Sequence, residues 1–460
     1  MEAGMEKLFV DFDLFYPSQN TGFTIWGKHG TILLNNIKAI VNPLLEREGY
    51  AEISLPSVFK KSCFERYIGS EAKNKLLVDV LYGQEGDLVL KPFSELIYAD
   101  FLAQKVGSSK KATVYEKVFQ WGLCFLNEIH PDLCINGNEI KKCEIFSIHN
   151  EYTAANTSWR KLNKLLQKIC VDDFRMSPLY GYRPGVSAFP SSLDTFSAEI
   201  GLGHGDFQTL MVSHIMDSNF LSKCGFQQFA DCFLCSACFS QKMIAASVLH
   251  HKDKYGFRYP SKLAPVLGII ACKGQVDSNI CGERIIILQK ADGWESEELS
   301  KEIVNRGAVW LIFENDAEHE GSRWNILRRG NMEEDPIEVD SLDKAIDATK
   351  EYIKEYDGIL LEDSIKKVSN SMVMIDSFKQ FREINGVVDL EVRPNIFVPC
   401  CACNNCMEEV VSRIQWIPKL IYRHSHKKCI HCGKDTEQGI MFEYSEMYTS
   451  FYVKRKEQNE

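Results

Sequence analysis

A chain of 460 residues exceeds what one hydrophobic core normally organises, so roughly two to four domains are expected. Hydrophobic residues at 45% and charged residues at 25% exclude large-scale disorder, and no apolar run approaches the roughly 20 residues of a membrane span. The formal charge of -10 argues against broad nucleic-acid binding, because phosphate contacts need clustered Lys and Arg.

The start Met1-Glu2-Ala3-Gly4 lacks the basic and apolar regions of a secretory signal, so a cytoplasmic location is expected, where most of the 17 cysteines would stay reduced. Between Thr31 and Glu46 apolar residues recur at helical spacing, and Pro43 is expected to kink the last turn. Ala51 to Pro56 alternates like a strand. Further strands are predicted at 88–90, 113–121, 143–148, 195–200 and 207–214, with helices near 94–106 and 158–171. Strands in runs between occasional helices predict an α+β fold built on a largely antiparallel sheet. The pattern changes near Leu263: apolar runs at 266–271, 285–288 and 308–313, with helices at 295–305 and 342–356, predict a small α/β domain. A third segment begins near Ile359 and holds a Met/Phe-rich stretch, cysteine pairs and an apolar strand from Ile440 to Tyr448.

Several segments, taken in order, resemble the archaeal/eukaryotic type of prolyl-tRNA synthetase, a class II aminoacyl-tRNA synthetase, from about Thr21 to Tyr448. Gly49-Tyr50 through Leu55-Pro56 looks like motif 1. Leu90-Lys91-Pro92-Phe93-Ser94-Glu95 resembles the family's Leu-Arg-Pro-Thr-Ser-Glu loop beside the amino-acid pocket. Val118-Phe119-Gln120-Trp121, with Glu144 later, is similar to motif 2. Val212-Ser213-His214 is similar to the Thr-Ser-His segment, and Phe239 to Ile244, followed by His251 and Asp253, is similar to motif 3. The resemblance implies an extension at 1–20, a class II catalytic domain at 21–262, an anticodon-binding-like domain at 263–357 and a zinc-binding-like domain at 358–460. It also implies a homodimer through the motif 1 region, with tRNA, an amino acid, ATP and magnesium as family ligands. Its substrate-pocket positions are Glu95, Phe93, Ser213 and His214.

The departures bear on activity. The family meets the triphosphate of ATP with arginines of motifs 2 and 3, a forked role that lysine fills poorly. Those positions read Gln120 and Lys242, the motif 2 glutamate is Gly122, and a second family arginine is Cys143. Efficient adenylation is not expected. Glu95 is retained where the family binds the imino group, but Phe93 replaces a threonine, adding bulk where proline would sit. In the anticodon-facing region Asn315-Asp316-Ala317-Glu318 replaces the family's Gly-Pro-Arg-Asp, and Glu295 replaces a lysine after Gly293-Trp294. Three basic runs are candidates for RNA contact: Arg328-Arg329, Lys419 to Lys428 and Lys454-Arg455-Lys456.

Cys401 and Cys406 have four residues between them, and Cys429 and Cys432 have two, a spacing suited to four thiolates on one structural zinc ion. Cys403 is an alternative to Cys401. Cys232, Cys235 and Cys238 recur every third residue and raise a second thiol or metal cluster, set against burial on alternate faces of a strand. The expectation is a synthetase-like protein that binds an amino acid, an RNA or a protein partner without conventional proline charging. The alternatives are a derived ligase or transferase acting on another substrate, and a divergent working proline-tRNA ligase.

Overall fold

The computed structural model describes residues 3–68, 78–80, 88–106, 116–128, 131–185, 187–189, 191–202, 207–276, 282, 284–290, 294–315, 323–386, 394–401 and 403–444. Its centre is one sheet of eleven strands: β1 Ala51–Glu52, β2 Glu116–Phe125, β3 Glu139–His149, β4 Leu179–Tyr182, β5 Ser192–Gly201, β6 Phe207–Met216, β7 Phe233–Ser240, β8 Met372–Met374, β9 Asn395–Pro399, β10 Ile417–Lys428 and β11 Asp435–Glu443. The spatial order is β8-β9-β11-β10-β4-β5-β6-β7-β3-β2-β1, antiparallel except at the two outer pairs. The α+β fold with a large antiparallel sheet expected from the sequence is therefore present.

Alternation along the strands divides the sheet into two faces. Phe119, Cys143, Ile145, Ile215, Cys235, Ala237 and Phe239 face a core shared with the helices Lys28–Arg47, Tyr152–Lys168 and Lys242–His251. On the other face Val118, Phe146, Ile148, Met216 and Leu234 pack with the helix Glu95–Val106. Along β2, β3 and β7 the apolar residues of this second face then give way to Gln120, Glu144, Lys142, Ser236 and Cys238. A sheet surface that is oily at one end becomes a polar floor at the other.

Some local expectations need correction. The strand predicted for 51–56 pairs at Ala51 and Glu52, with Ile53 N–H still donating to the Phe119 carbonyl, and ends before Leu55, whose N–H is bonded to the Gln120 side chain. The helix at Lys28–Arg47 continues through Pro43. The helix predicted for 158–171 starts earlier, at Tyr152, and passes at Ile169 into a five-residue π turn. The basic run at 419–428 is not a free surface segment but part of the twelve-residue strand β10. Residues 113–115, 316–318, 445–448 and 454–456, together with Gly293, lie outside the described residues.

Beyond the main sheet, Gly268–Cys272, Ile285–Gln289, Trp310–Asn315, Arg323–Arg328 and Ile337–Val339 form a five-stranded mixed sheet with the helix Ser296–Asn305. The helix Leu342–Asn370 runs unbroken across position 357. It ties the units together: Asp357 accepts from Arg175 at 3.0 Å and from Ser261 Oγ at 2.6 Å, and Asp363 accepts from Arg258 at 2.7 Å. Arg329 reaches Asp253 with two bonds, of 2.6 and 3.0 Å. Gly181 on β4 allows a close backbone approach: a Cβ there would stand 2.1 Å from the Ile421 carbonyl oxygen of β10. Any side chain would push the two strands apart at the junction. Among the described residues no helix is long and apolar enough to cross a membrane.

Candidate functional site

The polar floor is where the sequence placed its catalytic-type positions, and hydrogen bonding fixes what they can do. Gln120 is 1% exposed. Its carbonyl oxygen accepts from Leu55 N–H at 2.9 Å, and its amide nitrogen donates to Ser94 Oγ at 2.9 Å and Glu144 Oε2 at 2.7 Å. Ser94 Oγ donates to the same Glu144 oxygen at 2.6 Å, and Cys124 Sγ contacts the other at 3.4 Å. The amide is thus committed on both ends to protein partners, which a buried polar group requires.

Glu95 opens the helix Glu95–Val106 and is 7% exposed. One carboxylate oxygen accepts from Ser236 Oγ at 2.6 Å; the other has no hydrogen-bond partner among the described residues. Burial, and then the charge of Glu144, raise its pKa, so the carboxyl gains from any cation brought beside it. The neighbouring wall is aromatic. Phe93 meets Phe64 and Phe189 edge-on with ring centroids at 5.2 and 6.0 Å, and Phe189 lies 4.6 Å from the His214 ring. His214 Nδ1 is 3.0 Å from Thr195 Oγ1, and burial followed by the Arg183 charge pushes its pKa down to about 3, so it is neutral at pH 7. Ser213, one residue earlier, points to the opposite side of the sheet, where it accepts from Trp159 Nε1 at 2.8 Å and donates to Asn163. The structure therefore separates Ser213 from Glu95, Phe93 and His214.

Cations also stand at the floor. Lys242 begins the helix Lys242–His251, its ammonium 3.4 Å from Asn136 Oδ1 and its pKa lowered by burial and then by Lys142. Lys142 rises from β3; burial opposes its charge, but Cys124, Cys238, Glu144 and Glu95 hold its pKa above the ordinary value. Arg183 went unnoticed in the sequence. Its guanidinium reaches Glu199 at 2.8 Å, Thr209 at 2.6 Å and Ser197 at 3.2 Å. No motif marks Arg183; only the strand register brings it beside β5 and β6. The loop between β2 and β3 is tied down as well. Asp132 Oδ1 accepts from the N–H groups of Cys134, Ile135 and Asn136, and Leu133, Cys134 and Ile135 are buried.

The two cysteine groups behave differently. Cys232 Sγ contacts Asn150 Oδ1, Cys235 Sγ lies against the Ala155 carbonyl on the helix side, and Cys238 faces Lys142 and Glu144 on the floor. Those three thiols do not converge. A three-residue step along a strand reverses the face, which is the physical reason. Cys401, Cys406, Cys429 and Cys432 do converge, their sulfurs all within 4.8 Å of one another. Four thiolates at about 2.3 Å from a tetrahedral zinc ion would stand about 3.8 Å apart, so the set fits that ion. Although burial opposes ionisation, backbone N–H groups of Cys432, Cys401 and His431 bring the Cys429 thiol down to about 6, favouring a ligating thiolate. Cys403 is exposed, 3.5 Å from Cys401, at the N-terminal end of the helix Asn404–Ile414.

The basic runs are largely engaged. Arg329 is 1% exposed beneath Asp253, Arg328 pairs with Glu334, and Lys419 lies 2.8 Å from Glu443. Glu295 caps the helix Ser296–Asn305 in a capping box with Glu298.

The broad antiparallel sheet with its polar floor, the helix behind it and the appended α/β and thiol-bearing units define a class II aminoacyl-tRNA synthetase fold. No protein-family model matches the chain. It is 22% identical to the proline–tRNA ligase of Mycoplasma mycoides subsp. mycoides SC over 381 residues, covering 78% of this chain and 77% of that one. It is also 20% identical to the proline–tRNA ligase of Clostridium botulinum (strain Loch Maree / Type A3) over 450 residues, covering 91% and 89%. Among solved structures it superimposes on prolyl-tRNA synthetase from Cryptosporidium parvum, in complex with halofuginone and AMPPNP, with a TM-score of 0.78 at 17% identity, covering 96% of both chains. The chain is a distant homologue of the prolyl-tRNA synthetases.

Proposed function

We propose that this chain is a non-adenylating derivative of a prolyl-tRNA synthetase that keeps the fold and an amine-accepting pocket, and acts by binding. The observation that carries this reading is the Gln120 side chain: it is neutral, and both ends of its amide are held by Leu55, Ser94 and Glu144. A group so engaged has neither the charge nor the free donors to meet an α-phosphate. Lys242 offers a point charge in place of the second fork. Losing two charge-assisted contacts costs on the order of 3 to 6 kcal/mol together, or roughly 10² to 10⁴ in rate.

In this reading Glu95 holds a cationic amine through its unpartnered oxygen, Phe93 narrows the space that proline would fill, and His214 supports the wall as a neutral ring. The four cysteines hold a structural zinc. The divisions at 20/21, 262/263 and 357/358 mark the inherited units, and the motif 1 region forms a homodimer. A tRNA-like RNA or a protein is the larger partner. The Cryptosporidium parvum protein has been captured with L-proline and AMP, and that chemistry is the reference for the test. Proline-dependent exchange of pyrophosphate into ATP should run about a hundredfold or more below a working synthetase. Exchange at an ordinary rate, or a bent ATP with magnesium beside Gln120 in a soaked crystal, would overturn the proposal. The unpartnered oxygen of Glu95 also favours a second reading, an enzyme acting on another amine-bearing substrate. A thermal-shift screen in which no amino acid stabilises the protein would remove it.

A further inference from the structure

Four thiolates complete a tetrahedral zinc site, and this chain brings a fifth thiol to the same place. Cys401 follows β9, Cys406 lies in the helix Asn404–Ile414, and Cys429 and Cys432 stand in the turn between β10 and β11. Cys403 falls between the first two in sequence, at the N-terminal end of that helix. Its sulfur is 3.5 Å from Cys401 Sγ, whereas Cys432 Sγ is 3.9 Å from the same atom. One member of the converging set thus has a thiol outside the set nearer to it than a member of its own.

Access separates the five. Cys406 and Cys429 are buried, Cys401 is half-buried, and Cys403 and Cys432 are exposed. Cys432 belongs to the four, so Cys403 is the one thiol here that combines an exposed sulfur with no place among them. Helix capping does not account for it. Its side chain accepts no bond from the helix, and Ser, Thr, Asp and Asn are the residue types that do so. An accessible thiol beside a second thiol able to resolve it is the arrangement that oxidation by peroxide exploits.

We propose that Cys403 is an oxidative modification site, where a hydroperoxide initiates a Cys401–Cys403 disulfide that takes Cys401 away from the metal. The inference rests on the zinc-holding role proposed above for Cys401, Cys406, Cys429 and Cys432. In the first step the Cys403 thiol attacks one oxygen of hydrogen peroxide; the O–O bond breaks, a sulfenic acid forms and water leaves. In the second the Cys401 thiolate attacks the Cys403 sulfur, the S–O bond breaks and hydroxide leaves. Two thiol sulfurs are oxidised and one peroxide is reduced. The zinc is left with three sulfurs and is held less firmly. The unit need not come apart, because Ile430 N–H still donates to the Pro399 carbonyl at 2.9 Å and Cys400 N–H to that of Gln438 at 3.1 Å. Reduction then restores the site.

The test treats the full chain, purified with its zinc, with dilute hydrogen peroxide. Zinc release is followed with a chromogenic chelator, and disulfides are mapped by mass spectrometry of proteolytic fragments. About one zinc per chain should be released as the Cys401–Cys403 disulfide forms, and zinc should rebind after a thiol reductant is added. Cys403→Ser, which suits the helix start, should keep its zinc and slow the release about tenfold or more. Cys63→Ser removes a part-exposed thiol that packs with another core, and should release zinc like the natural chain. Equal release from Cys403→Ser, a disulfide mapped to Cys429 and Cys432 instead, or zinc that stays in place under peroxide would overturn the proposal and leave the zinc site standing. Cys403→Ser that purifies without zinc would make Cys403 a ligand and overturn it as well. A natural chain without zinc would remove the zinc reading and the proposal together.

Discussion

The polar floor and the four-cysteine cluster began as comparable readings, each a set of family positions, and the structure treats them in opposite ways. At the cluster, four side chains of one chemical type converge, and backbone donors favour the ionised form of Cys429. At the floor, the positions converge too, but their hydrogen-bonding capacity is taken up by one another. A cluster of identical donors has few ways to satisfy itself except by a metal ion. A mixed polar set can close on itself after a single arginine-to-glutamine change, and the fold then holds the closed network as core.

The largest effect that could break this comparison is loss of the metal. Chelation, or Cys429→Ser, should release about one zinc per chain by mass spectrometry of metals and remove several kcal/mol of local stability from the C-terminal unit, seen as a separate early transition. A chain with no bound zinc and an unchanged melt would put the cluster on the same footing as Cys232, Cys235 and Cys238. Acid should act next, and away from the cluster. His149, His214, His250 and His251 are buried and neutral, with pKa values pushed by burial to about 4, 3, 4 and 3. In the unfolded chain each titrates near 6.5, so their contribution is complete above about pH 6.5 and drains away as the pH falls towards those folded values. By pH 5 the loss should be on the order of 5 kcal/mol, read as a falling urea midpoint; a flat midpoint from pH 7 to 5 would contradict the buried, neutral assignment.

The smallest expected effect is the most discriminating. Gln120→Ala should cost about 2 to 4 kcal/mol, since it strands the Leu55 N–H and removes a donor from buried Glu144, while leaving any affinity for ATP unchanged. The reverse outcome, an unchanged melt with weakened ATP binding, would mean that Gln120 serves a nucleotide and not the core.

Much of the architecture was legible in the residues because alternation and helical spacing survive substitution. The spacing of Cys401, Cys406, Cys429 and Cys432 was legible for the same reason: short separations leave little freedom. Strand β10 was hidden, because its lysines and arginine read as a charged surface run although Leu420 is wholly buried in the sheet. The closing of Gln120 was hidden for another reason. Its partners lie 65, 26 and 24 residues away, and no local pattern announces which strand will stand opposite. Arg183 was missed likewise, since only strand register places it.

The seam at Gly181 has one more consequence. Because β4 is paired with β10, the catalytic-type strands have no bare margin on that side. A chain shortened before residue 371 would expose β4, with its unpaired peptide groups, to any passing strand, and such margins template aggregation. The C-terminal segment is therefore also a covering strip whose removal should cost solubility even where the remaining strands stay folded.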